Sequence, residues 1–127
     1  MASSAPDIHI ERSPDEVWDL IGDFGDLSYM PGVESVTVEG DVRTVKTMGM
    51  EIEEQLVAKD DADRSFSYSI LGGVPVETHQ ANVSVRPDGA GSRMVWEVTV
   101  TPDDALDLFV PVYKGSLKAI KSHLEGA

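Results

Sequence analysis

The sequence predicts one α+β domain in which a curved antiparallel sheet wraps around a long C-terminal helix. Three observations lead there. From Val33 onward, about seventy residues keep a period of two broken by short turn signals, which is the pattern of consecutive antiparallel strands. Leu106, Phe109, Val112, Tyr113, Leu117, Ile120 and Leu124 then recur at helical spacing, so a long amphipathic helix needs an apolar face to cover. At 127 residues and 41% hydrophobic, the chain can bury one sizeable core and is too short for two ordinary domains. No repeat, low-complexity tract or linker divides it.

Ile8 and Ile10 alternate as a short first strand. Ser13-Pro14-Asp15-Glu16 opens a helix: a serine N-cap, proline at the first helical position and a glutamate placed to close a capping box. Val17, Leu20 and Ile21 form its apolar stripe with Trp18 beside them, and Gly22 ends it. Residues 24–30, bounded by Gly22, Gly25 and the Pro31-Gly32 breaker, read as a further short helix or turn, giving two short helices after the first strand. Six strands follow, at residues 33–39, 42–48, 50–59, 65–71, 76–87 and 92–101, for about seven in all. Gly40-Asp41, Gly49, residues 60–63, Gly72-Gly73 and residues 87–91 supply the turns. After Pro102, Asp103 and Asp104 are placed to cap the last helix, and Pro111 falls inside it.

Composition removes several functions. Ten basic against 23 acidic residues give a formal charge of −13, which repels nucleic-acid phosphates and anionic lipid head groups. No apolar run approaches the roughly 20 residues that cross a bilayer, and the N-terminal residues resemble no targeting segment. A soluble, cytoplasmic protein is expected, with neither nucleic acid nor membrane as partner. With no cysteine there is no disulfide or thiolate chemistry. The three histidines, His9, His79 and His123, lie on the first strand, a mid-sheet strand and the last helix, so no metal site is expected. No GxxxxGK[ST] phosphate loop or strand-elbow serine is present, and no cofactor is expected.

Alternation decides which side chains face the helix. Ala81, Val83 and Val85 put His79 on the inward face of their strand. Met50, Ile52, Leu56 and Ala58 do the same for Glu54. Phe66, Tyr68 and Ile70 point inward, as do Met94, Trp96, Val98 and Val100. Val36 and Val38 draw Glu34 inward, and Val45 draws Arg43 and Thr47. The expected interior is therefore apolar and aromatic, with a few polar groups: Glu54, His79, Tyr68, the indole of Trp96, Tyr113 from the helix, Glu34 and Arg43. Met48 and Met50 are adaptable lining or core filler.

Several stretches together resemble the START-like, or SRPBCC, superfamily. They are Ser13-Pro14-Asp15-Glu16-Val17-Trp18, the turn Tyr29-Met30-Pro31-Gly32-Val33, the strand Val42-Arg43-Thr44-Val45, the run from Glu54 to Asp61, the strand Phe66-Ser67-Tyr68-Ser69-Ile70, and Trp96. Their order is similar to that in the bacterial polyketide cyclase/dehydrase subgroup, with plant abscisic-acid receptors and pollen allergens as distant relatives. The resemblance runs from about Ile8 to Leu124. It implies a helix-grip fold with a hydrophobic cavity between sheet and C-terminal helix. It also implies a ligand such as a lipid, sterol, hormone or polyketide, and in a minority of members a cyclisation or dehydration. Glu34 stands where the hormone receptors place a carboxylate-holding lysine, which argues against a carboxylate ligand held in that way. The loop Thr47-Met48-Gly49-Met50 is shorter than their gating loop.

Three functions remain open at this level. The first is binding of a small hydrophobic molecule, polyketide-, terpenoid- or lipid-like, on Tyr29, Glu34, Arg43, Met48, Met50, Ile70, Ala81, Trp96, Phe109 and Tyr113. The second is a cofactor-free cyclase, dehydratase or lyase in which Glu54 and His79 form an acid-base pair and Tyr68 donates a hydrogen bond. The plainer alternative for that pair is that the two side chains satisfy each other or hold water. The third is an interaction module recruiting a basic partner through the acidic surface.

Overall fold

The computed structural model describes residues 2–126. Eight strands form one antiparallel sheet: β1 (Ala2–Ser4), β2 (Asp7–Ile10), β3 (Val33–Glu39), β4 (Val42–Thr47), β5 (Met50–Asp60), β6 (Ser65–Gly72), β7 (Thr78–Asp88) and β8 (Gly91–Thr101). Their order across the sheet is β1-β8-β7-β6-β5-β4-β3, with β2 also paired to β8. The N-terminal strand is thus two strands on one partner: Ala2–Ser4 pairs with residues 98–100 and Asp7–Ile10 with residues 92–95. Pro6 lies between them, and its carbonyl accepts from Trp96 N–H, so the edge stays bonded where the proline interrupts it.

Helix α1 (Pro14–Ile21) begins as its sequence dictates. The Ser13 hydroxyl accepts from Glu16 N–H, the Glu16 carboxylate accepts from Ser13 N–H, and Val17, Trp18 and Ile21 are buried. Residues 24–30 form turns and not a second short helix. The carboxylates of Asp23 and Asp26 accept from Gly25 N–H and Ser28 N–H, which offers the backbone a local alternative to helical bonding. At the other end, Asp103–Ala105 make a 3₁₀ turn and the long helix α2 runs over Leu106–Glu125 with Pro111 inside it. Its N-cap is Ala105, which has no side-chain oxygen, so neither Asp103 nor Asp104 stands at the N-cap position of this helix.

Helix α2 packs on β1, β2 and β8, and α1 packs on β7 and β8. Phe109, Tyr113, Leu117 and Ile120 form the buried stripe of α2. Each such side chain contributes on the order of 1.5–3 kcal/mol through burial. Facing it are Phe66, Tyr68, Ala81, Val83, Val85, Met94, Trp96, Val98 and Val100, all buried. Inward and outward residues alternate through β7 and β8 as the sequence implies. In β5 the alternation breaks. A register shift between Leu56 and Ala58 leaves Val57 58% exposed and turns Ala58 to solvent, whereas alternation alone places Ala58 inside.

Candidate functional site

The site begins at a tight turn. Met48 and Gly49 have φ of 50° and 75°, the two left-handed positions of a two-residue hairpin of the kind that matches strand twist. That turn pairs Thr47 with Met50 and so sets Arg43 directly opposite Glu54, both on the inner face. Arg43 Nε donates to Glu54 Oε1 at 2.7 Å, and Arg43 Nη1 donates to the Phe24 carbonyl at 2.6 Å. The guanidinium lies 3.8 Å from the centre of the Phe24 ring. The pair is removed from water and held from three sides, by a carboxylate, a carbonyl and an aromatic face.

Next to it runs a chain of polar side chains through an aromatic interior. Trp96 Nε1 donates to the Tyr68 hydroxyl at 3.1 Å, the Tyr68 hydroxyl donates to that of Tyr113 at 3.1 Å, and the Tyr113 oxygen lies 2.8 Å from His79 Nε2. Trp96 and Tyr113 stack at 4.7 Å with their planes 15° apart, and the Phe109 ring lies 4.9 Å from that of His79. His79 Nδ1 is buried with no hydrogen-bond partner among the described residues, although the His79 backbone carbonyl acts on the ring against the effect of burial. Burial pushes the His79 pKa down to about 4, so the imidazole is neutral at pH 7. Desolvation raises the Tyr113 hydroxyl well above its usual range, and raises Tyr68 likewise with the nearby Glu54 charge adding to it.

The expected site residues therefore divide. Arg43, Glu54, Tyr68, Ala81, His79, Trp96, Phe109 and Tyr113 are buried on the interior wall or on α2 above it. Ile70, half-buried, stands opposite Glu54. Tyr29 is half-buried near the His123 ring, and burial pushes its hydroxyl up to about 12. Three residues are not inside. Glu34 falls at a register shift between Val33 and Ser35 and is exposed, because that irregularity breaks the alternation that drew it inward. Met48 is 69% exposed at the hairpin tip, and Met50 is exposed beside it. Glu54 and His79 do not pair with each other: the first meets Arg43 and the second Tyr113. Phe24 is the residue the sequence reading missed, since its role rests on a backbone carbonyl and a ring face.

Two depressions, of about 410 and 380 Å³, open on the outer face of the sheet. One is lined by Thr37, Thr44 and Glu53 among others, the other by Thr78, Gln80, Asn82, Glu97 and Thr99, with His79 at its margin. Between sheet and α2, the rings of Phe66, Tyr68, Trp96, Phe109 and Tyr113 occupy the interior.

Residues 1–125 match the sequence profile of the family described as polyketide cyclase / dehydrase and lipid transport. The chain belongs to that family. Among solved structures, this polyketide cyclase/dehydrase-family protein is similar to XoxI from Bacillus cereus, at 30% identity and a TM-score of 0.91 over 98% of this chain and 96% of that one. It is similar also to an uncharacterised protein from Bacillus thuringiensis, at 28% identity and a TM-score of 0.91 over 97% and 98% of the two chains. Ara h 8.0201, a Bet v 1 homologue, has the same fold at 19% identity, with a TM-score of 0.82 over 99% of each chain. The fold is thus the helix-grip fold that the sequence resemblance implied, in a family whose members generally bind ligands. Comparison with curated proteins finds no match.

Proposed function

We propose that this family member binds a small hydrophobic molecule, polyketide-, terpenoid- or lipid-like, between the sheet and α2. The observation that carries the reading is the unpartnered His79 Nδ1 inside an otherwise aromatic wall. A buried polar atom left unpaired costs about 1–3 kcal/mol, and a core serving only stability replaces such a group with an apolar one. A ligand supplies the missing partner.

The sheet's connectivity supports an opening at one end. The β4–β5 turn, the loop after β6 and the junction of β8 with α2 all fall there, because Thr47 pairs with Met50, Glu53 with Gly72 and Thr78 with Thr101. Met48, Met50, Leu71, Leu108 and Val112, five of the exposed large apolar side chains, belong to these segments or to the first turns of α2.

Catalysis by Glu54 and His79 as one acid-base pair is the weaker reading, since each already has a different partner. A histidine titrating near 4 is also a poor base at pH 7. Native mass spectrometry and solvent extraction of the purified protein test the binding reading. An apolar molecule retained in stoichiometric amount supports it. An empty protein whose melting temperature no apolar compound raises overturns it.

A further inference from the structure

Hydrogen-bond direction along the buried chain narrows the chemistry of the ligand, an inference that rests on the binding reading above. An indole N–H only donates, so Trp96 fixes one end: Tyr68 oxygen accepts. Three arrangements remain for the rest, and the one in which Tyr113 oxygen accepts from both the Tyr68 hydroxyl and His79 Nε2–H leaves the Tyr113 proton and Nδ1 both unpaired. If Tyr68 donates to Tyr113 and Tyr113 to His79 Nε2, the imidazole carries its proton on Nδ1, and that N–H is the single unpaired group. If the direction is reversed, His79 Nε2–H donates to Tyr113 and Tyr113 to Tyr68. The Tyr68 hydroxyl proton, on a side chain 1% exposed, then has no acceptor among the described residues, and Nδ1 is a bare acceptor as well. The first direction leaves one unsatisfied group and each of the others leaves two. At about 1–3 kcal/mol for each, the first prevails.

His79 thus presents a neutral Nδ1–H donor, held in place through Nε2 and enclosed by apolar and aromatic side chains. The one buried formal cation among the described residues, Arg43, is already matched by Glu54 at 2.7 Å and by the Phe24 carbonyl. An anionic ligand finds no free countercharge there and carries its full desolvation cost. A pure hydrocarbon leaves Nδ1–H unpaired. We infer that the ligand is an uncharged apolar molecule with a hydrogen-bond-accepting oxygen, of the ketone or aldehyde type, which receives the Nδ1–H of His79.

Three matched probes test this: 2-acetylnaphthalene, 2-ethylnaphthalene and 2-naphthoate, which share a ring system and differ in the polar group. Their affinities are measured by titration followed by tryptophan fluorescence, and the ¹⁵N resonances of the His79 ring are read by NMR at pH 7. The expected tautomer is Nδ1–H. The ketone is expected to bind about tenfold more tightly than the hydrocarbon, equivalent to about 1.4 kcal/mol, with the carboxylate weakest, and to shift Nδ1 where the hydrocarbon does not. His79→Phe should abolish the preference for the ketone while 2-ethylnaphthalene still binds. The tautomer and the Nδ1 shift are read on the unaltered protein, so the test stands even if that variant folds poorly. An Nε2–H tautomer, or equal affinity for ketone and hydrocarbon, overturns the inference and leaves the binding reading intact. Failure of all three probes to bind, in a protein that extraction finds empty and no apolar compound stabilises, overturns both.

Discussion

Glu54 and Arg43 meet at 2.7 Å on neighbouring strands, inside a wall where their side chains are 12% and 6% exposed. Neither charge can be removed alone without stranding the other. Replacing Arg43 with Met should destabilise the protein by about 3–5 kcal/mol, since Glu54 is left buried without a counterion. The double variant Arg43→Met with Glu54→Leu should recover most of that loss, because two apolar groups of similar volume need no partner. Urea unfolding of the three proteins checks this. A double variant no more stable than Arg43→Met would show that the pair's worth lies elsewhere, in the Phe24 contacts.

The neutral state of His79 makes stability acid-sensitive. Its folded pKa of about 4 lies below the ordinary imidazole value of 6.5, so the unfolded chain takes up a proton first as pH falls. The contribution is complete well above pH 6.5 and declines as pH drops toward 4, by about 1.5 kcal/mol between pH 6.5 and pH 5, with a slope approaching about 1.4 kcal/mol per unit between the two pKa values. His79→Gln can keep an acceptor for the Tyr113 hydroxyl and cannot titrate. Its unfolding free energy should therefore be flatter across pH 5–7 than that of the unaltered protein, whatever its absolute value. Identical slopes would place the imidazole in contact with water.

Both the strengths and the gaps of the sequence reading trace to this region. Alternation is enough to put Tyr68, His79 and Trp96 on one face, because β7 and β8 alternate regularly there and Phe66 and Tyr68 are both buried in β6. It failed at Glu34 and Ala58, where a single register shift in β3 or β5 reverses the face, and no residue type announces such a shift. The Arg43–Glu54 pairing was within reach, since a two-residue turn at Met48-Gly49 fixes which residues stand opposite. The contact between His79 and Tyr113 was not, because it depends on how far α2 sits along the sheet. Composition does not encode that distance.

His9 has the opposite pH sign. Its Nδ1 lies 2.8 Å from Asp88 Oδ2 and its Nε2 lies 2.8 Å from Glu11 Oε1. Carboxylates only accept, so the two contacts are both satisfied when the ring carries its second proton. The bond to Asp88 first, and that to Glu11 second, hold its pKa above the ordinary imidazole value of 6.5. The stabilisation is fully present below the unfolded pKa and is lost as pH rises through the folded one. An NMR titration should find His9 titrating above 6.5, and His9→Gln should cost more stability at pH 6 than at pH 8. Equal cost at both would mean that the ring tethers β2 to Asp88 without its charge.

The first half of α2 is built to be weaker than the second. Pro111 gives it no N–H to return to the Asp107 carbonyl, and four residues on stands Gly115, which is exposed. A Cβ at Gly115 would meet nothing within 4 Å, so packing does not require the glycine. Phe109 and Tyr113, the two α2 side chains in contact with His79, lie in this stretch or at its edge. At its C-terminal end the helix is fastened: Lys121 donates to the His9 carbonyl at 2.9 Å, and Glu125 accepts from Glu11 N–H at 2.8 Å. Any molecule that reaches His79 must displace rings carried by the weak half, while the fastened half keeps the fold closed. Gly115→Ala should therefore stabilise the protein by about 0.5–1 kcal/mol and slow amide hydrogen exchange across residues 109–115 more than across residues 117–124. Uniform slowing along α2 would mean that the helix opens as one piece, with no separate movement of its first turns.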